Sequence, residues 1–175
     1  MIKKEVFIKR IEKYFNYNKN GSQAAGLKKL FYDNKKHNYF ISNAFGLIRL
    51  NTNNLNDIEK INYLKEVYDV QIAEEKNTAA SITRFNDNFN AGGFCKYQFN
   101  FKDIKDEDII KEDHNKYIKI NGVLFNYDYI KNIKTVLNDK DLSIFTSESN
   151  DYTIKNTICL TGSSGYAYLL GVRTF

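Results

Sequence analysis

Asn121-Gly122 stands between two short apolar-rich runs, residues 117–120 and 123–125. Both residues of that dipeptide tolerate the positive φ angles of a tight two-residue turn, so the flanking runs are expected to pair as an antiparallel hairpin. Immediately afterwards the period changes. In residues 127–137, Ile130, Ile133 and Leu137 recur at helical spacing, with Lys131 and Lys134 off that stripe. Strand patterns follow at 142–146, 152–160 and 167–173, joined by links too short for parallel crossovers. A hairpin, one amphipathic helix and closely spaced strands restrict the last third to an α+β arrangement with antiparallel pairing.

The first fifty residues repeat the order of helix and then strands. In residues 4–15, Phe7, Ile11, Tyr14 and Phe15 form a helical stripe with Ile8 beside it, while Lys4, Lys9, Arg10 and Lys13 lie away from it. Residues 16–26 are rich in Asn, Gly and Ser and read as a loop. Residues 27–33 are strand-like, 34–38 a turn, and 39–43 with 47–50 a pair of adjacent strands. Between the two blocks, Leu55, Ile58, Ile61 and Tyr68 predict an extra helix over about 57–68, with Asn54 or Asn56 as its N-cap. Residues 74–93 are polar and read as a long loop, with Gly92-Gly93 as a turn or bulge. Residues 94–101 alternate as a strand. The acidic stretch 102–116 reads as a solvated loop, since it lacks the Gly and the terminal Glu of an EF-hand.

The chain of 175 residues is the size of one domain. It has no run of 18 apolar residues, so no membrane span is expected, and Met1-Ile2-Lys3-Lys4-Glu5 carries no secretory h-region, so a cytoplasmic location is expected. Cys95 and Cys159 lie in apolar strand-like runs and are expected to be buried free thiols. His37 and His114 have no partner at metal-ligand spacing, so neither a metal nor a cofactor is expected. Gly162-Ser163-Ser164-Gly165 lacks the Gly-x-Ser-x-Gly spacing of a nucleophile elbow and reads as a turn. No catalytic constellation stands out, and the chain is read as a non-enzyme. Charge is uneven: residues 1–50 hold eleven Lys/Arg against three Asp/Glu, a net of +8 within a total of +5. A basic first third on a near-neutral body suggests a face for a polyanion.

The last third resembles the closing half-domain of a bacterial DNA polymerase sliding clamp, the beta subunit. In that family a strand ending Phe-Asn leads into a helix opening with a Tyr-Leu pair, matched here by Phe125-Asn126-Tyr127-Asp128-Tyr129-Ile130. The family's last strand ends in an apolar run, Pro, an apolar residue and Arg, matched by Leu169-Leu170-Gly171-Val172-Arg173 with Gly171 in place of Pro. The first block resembles the family more weakly. Its Thr-Asp-Gly-His-Arg-Leu turn falls at Ser42-Asn43-Ala44-Phe45-Gly46-Leu47, where Phe45 and Gly46 do not match.

The resemblance implies a single DNA-clamp-like domain over 1–175: two helices packed on antiparallel sheets with an internal pseudo-twofold repeat. The half-repeats would be about 1–50 and 94–175, with an inserted helix in about 51–93. It implies a processivity factor that binds double-stranded DNA without sequence preference and tethers a DNA polymerase or other replication protein through a short peptide motif. Lys9, Arg10, Lys13, Lys131 and Lys134 would face the duplex. Ser42, Asn43, Ala44, Leu47, Leu170, Gly171, Val172 and Arg173 would form the peptide pocket, completed by a contact between subunits. One domain per chain implies a homo-oligomer, a hexamer if the ring closes as in cellular clamps. Two other readings stay open: a clamp-like phage or mobile-element protein that binds or inhibits a replication or defence protein without a ring, and an unrelated α+β domain.

Overall fold

Helix α1 (Lys4–Asn16) turns Phe7, Ile11 and Tyr14 to one side, and all three are fully buried. The structure, a computed structural model, describes residues 2–16, 29–34, 37–43, 45–72, 93–150, 152–162 and 165–172. Strands β1 (Leu30–Asp33), β2 (Asn38–Ser42) and β3 (Gly46–Asn51) follow, then helix α2 (Leu55–Lys65) and strand β4 (Val70–Ile72). The second part contains β5 (Lys96–Asn100), β6 (Ile109–Glu112), β7 (Asn115–Ile120), β8 (Val123–Asn126) and helix α3 (Tyr127–Leu137). It ends with β9 (Ser143–Thr146), the single helical turn α4 (Tyr152–Lys155), β10 (Thr157–Gly162) and β11 (Gly165–Leu170). The class is mixed α+β.

Eight strands form one sheet in the order β4-β1-β2-β3-β11-β10-β9-β5, and β6-β7-β8 form a second, smaller sheet. Alternation along the strands sends side chains to opposite faces of the large sheet. Ile41, Ile48, Ile144, Ile158 and Leu169 join the main core with residues of α1, α2 and α3. Phe31, Phe40, Leu47, Cys159 and Tyr168 form a second apolar cluster with Phe94. Ile118, Ile120 and Phe125 of the small sheet join the main core, which anchors that hairpin to α3. Each fully buried side chain of this size contributes about 1.5–3 kcal/mol by leaving water.

The Asn121-Gly122 hairpin forms as the sequence predicts: Ile120 faces Val123, with φ of 48° at Asn121 and 84° at Gly122. Asn126 then caps α3, its Oδ1 accepting from the backbone N–H of Asp128 at 3.0 Å and of Tyr129 at 3.1 Å. Asn126→Ala removes both bonds and is expected to cost about 1 kcal/mol. Thermal melting should show a fall of about 2–4 °C; an unchanged midpoint would mean that the cap contributes nothing.

Five expectations are corrected. The pairing is not wholly antiparallel, because β4 runs parallel to β1 with Leu30 beside Val70. The chain reaches that edge after crossing the helical side as α2, so it arrives in the direction of β1 rather than against it. The acidic stretch is not all loop. Ile109–Glu112 pairs with β7, closing through Asp113 at φ 51°; its mostly exposed side chains leave no apolar alternation to read. Residues 152–155 are a helical turn rather than the start of a strand. Four residues of alternating pattern do not distinguish the two. Cys95 is exposed, while Cys159 is buried, and both are free thiols. Helix α2 begins two residues earlier than expected and stops at Lys65, with Asn54 as its N-cap. The expected loops at 16–26 and 74–93 fall almost wholly outside the described residues, as do Ser163 and Ser164 of the expected turn.

Candidate nucleic-acid interface

Helices α1 and α3 lie against each other on the core side of the large sheet. Arg10 joins them. Its Nη1 donates to Thr135 O at 2.9 Å and to Asn138 Oδ1 at 2.8 Å. Asn138 sits in the left-handed conformation just past the end of α3, where its own N–H donates to Lys134 O. Arg10 thus satisfies a carbonyl that the helix leaves open and places positive charge at the negative end of the helix dipole. This qualifies the expectation that Arg10 faces a duplex, because its guanidinium is already held by α3. Lys9 and Lys13 are exposed on α1, one turn apart.

On α3, Lys131 pairs with Asp128 Oδ1 at 2.5 Å and stands 5.1 Å over the Tyr127 ring. Lys134 stands 4.3 Å over the Phe101 ring. Tyr127 and Phe101 stack with centroids 5.9 Å apart and planes 2° from parallel. Beside this stack a groove of about 420 Å³ opens at the C-terminal end of α3, with Arg10, Lys131, Lys134, Lys140 and Phe101 among its lining residues. Three of the five basic residues named from the sequence therefore share one groove. Phe101 and Lys140 were missed. Phe101 reads in the sequence as the end of a strand, but it begins a 3-10 turn after β5; Lys140 lies in the link beyond α3, where no periodicity marks it.

The described residues named for the peptide pocket also lie on two neighbouring elements. Asn43 is buried, and its Oδ1 accepts from Gly46 N at 2.8 Å and Phe45 N at 3.2 Å. Ser42 Oγ donates to Gly46 O at 3.1 Å. The turn that Asn43 shapes lies beside the end of β11, where Leu170 N donates to Phe45 O at 2.9 Å. Gly171 N donates to Asn156 O, and Val172 N to Leu124 O, each at 2.7 Å. The two elements thus touch inside one chain through paired backbone. Leu47 is 2% exposed in the second apolar cluster, whereas Phe45 and Val172 are 41% and 38% exposed. Ala44 and Arg173 lie outside the described residues. Burial pushes the Cys159 thiol up to about 12, so it stays protonated and unreactive at neutral pH.

Comparison with known proteins finds no matching family model, no matching curated protein and no matching solved structure. Among the described residues, no helix is long and apolar enough to cross a membrane.

Proposed function

We propose that this chain is a non-catalytic, sliding-clamp-like domain that binds duplex DNA without reading its sequence and holds a partner protein near it. One observation carries the reading. Strands β1-β2-β3 and β11-β10-β9 meet in the middle of one sheet, and each trio is preceded in the chain by a helix, α1 or α3, packed against the other. This order supports an internal pseudo-twofold in which the two helices form one outward surface. Lys9 and Lys13 on α1, with Lys131 and Lys134 on α3, supply cations for phosphates, which position a duplex without reading its bases. A single domain offers few phosphate contacts, so retention on DNA would come from a homo-oligomeric ring and not from affinity.

A second reading has its own support. The junction of the Ser42–Leu47 turn with β11 leaves Phe45 and Val172 exposed on a single chain. That favours a clamp-like interaction protein, of a phage or mobile element, which engages a replication or defence protein without a ring.

The duplex reading is tested by retention on nicked circular against linearised plasmid, beside the mass of the protein in solution. A closed ring is retained on the circle and lost from linear ends. Changing Lys9 and Lys13 together to Ala should lower the salt dependence of duplex binding by about 1.8 in log–log slope, at about 0.9 per phosphate contact. Arg10 is left in place because it caps α3. A monomer retained on neither form would remove the ring and leave the interaction-protein reading.

A further inference from the structure

We propose that the groove at the C-terminal end of α3 is a binding site for single-stranded DNA, taking about one nucleotide against Phe101 with its phosphates among Lys131, Lys134 and Lys140. The proposal rests on the nucleic-acid reading above for its class of ligand, but not on ring formation or on duplex binding.

Four cationic side chains converge on one groove of about 420 Å³. The negative pole of a helix C-terminus attracts cations by itself; that accounts for Arg10, which donates to the open carbonyl of Thr135, and bears on Lys134 in the last turn, but not on Lys140 beyond it. Among the described residues, Lys134 and Lys140 have no carboxylate within ion-pair distance, and Lys134 instead lies over the Phe101 ring. Two ammonium groups without a carboxylate partner beside an aromatic ring match the two elements that hold single strands: backbone-tracking charge and, once Lys134 turns from the Phe101 ring to a phosphate, a ring face for a base. The volume falls within the range of about 300–1,000 Å³ of small-ligand sites. A nucleotide fits such a space, while a duplex, much wider, would rest on the outer helix surfaces. Asp139 also lines the groove but is buried, with its Oδ1 accepting from Asp141 N at 3.0 Å, so its charge is partly engaged.

Fluorescence anisotropy of the full chain with labelled oligothymidylate and with a blunt duplex of the same length tests this at rising salt. The wild type is expected to bind oligothymidylate. Phe101→Leu should weaken that binding about 5- to 100-fold through loss of stacking, and duplex binding by much less. Changing Lys134 and Lys140 together to Ala should reduce the single-strand salt slope by about 1.4, at about 0.7 per contact. Lys140 is exposed and Lys134 only partly buried, so this pair keeps the test valid if Phe101→Leu impairs folding. Single-strand binding that ignores the lysine pair overturns the proposal, as does a wild type that binds duplex but no single strand. Loss of duplex binding in the wild type with single-strand binding kept would sink the clamp reading and support this one.

Discussion

Lys60→Met is expected to destabilise the protein by about 3–5 kcal/mol. Lys60 and Asp57 are 3% and 0% exposed, and their charged atoms stand 3.4 Å apart. Each has a second partner. Lys60 Nζ donates to Leu137 O at 3.3 Å, and Asp57 Oδ2 accepts from Asn51 N at 2.9 Å. The pair therefore ties α2 to the end of β3 and to the end of α3. Removing the ammonium leaves a carboxylate in the interior with one hydrogen bond and no counter-charge, and that desolvation dominates the cost. The double variant Asp57→Asn with Lys60→Met keeps an acceptor for Asn51 and removes both charges, so it should recover most of the loss. Urea unfolding of the two single variants and the double variant measures the coupling. A Lys60→Met loss under about 1 kcal/mol would show that the pair is not held in the interior as described.

The pH dependence has a definite sign. Burial holds the Asp57 carboxyl above the usual carboxylate range, against the opposing pull of Asn51 N–H and Lys60. A carboxyl whose folded value is raised favours the native state most below its unfolded value, and that contribution is lost as pH rises through the folded value. The deficit of Lys60→Met should accordingly be full at neutral pH and shrink on acidification as Asp57 takes up a proton. A deficit that grows on acidification would contradict the raised carboxyl.

Gly171→Pro is expected to cost roughly 2–4 kcal/mol, although Pro is the residue the clamp family carries at the matching place. A Cβ at Gly171 would stand 2.4 Å from Val123 Cγ1 and 3.1 Å from Asn156 O. Proline would also delete the N–H that donates to Asn156 O at 2.7 Å. The overpacking accounts for about 1–3 kcal/mol and the lost bond for about 1 more. Thermal melting should fall by about 4–16 °C, at about 2–4 °C per kcal/mol for a chain of this length. Gly171→Ala keeps the N–H and should lose only the packing share. Equal losses for the two variants would place the whole effect in the Cβ contact.

Local patterns carried the elements whose signals are strong over short spans. The helix of residues 127–137 emerged with those bounds because Ile130, Ile133 and Leu137 keep helical spacing, while the capping Asn126 and the left-handed Asn138 that bound it came from the structure. The hairpin at Asn121-Gly122 emerged because few dipeptides favour two consecutive positive φ angles. Strand β6 did not, since its exposed charged residues hide a pairing that only the backbone makes. For the candidate site, Lys131 and Lys134 were legible as cations off an apolar stripe. Arg10 was legible as a cation too, but not as the residue that closes α3, because Thr135 and Asn138 lie more than 120 residues away in the chain.

By itself the sequence determined the α+β class, the positions of the two helices α1 and α3, and the apolar stripes that bury them, because these follow from periodicity within a few turns. Tertiary structure alone decided which strands are neighbours, that β4 joins parallel to β1, and that β3 and β11 meet at the middle of the sheet. It alone brought Phe101 and Lys140 to Arg10, Lys131 and Lys134. Residues on separate elements carry no mark of one another in a single chain. Their proximity arises only when the sheet order and the packing of helices on its face bury the most apolar surface while leaving backbone groups paired.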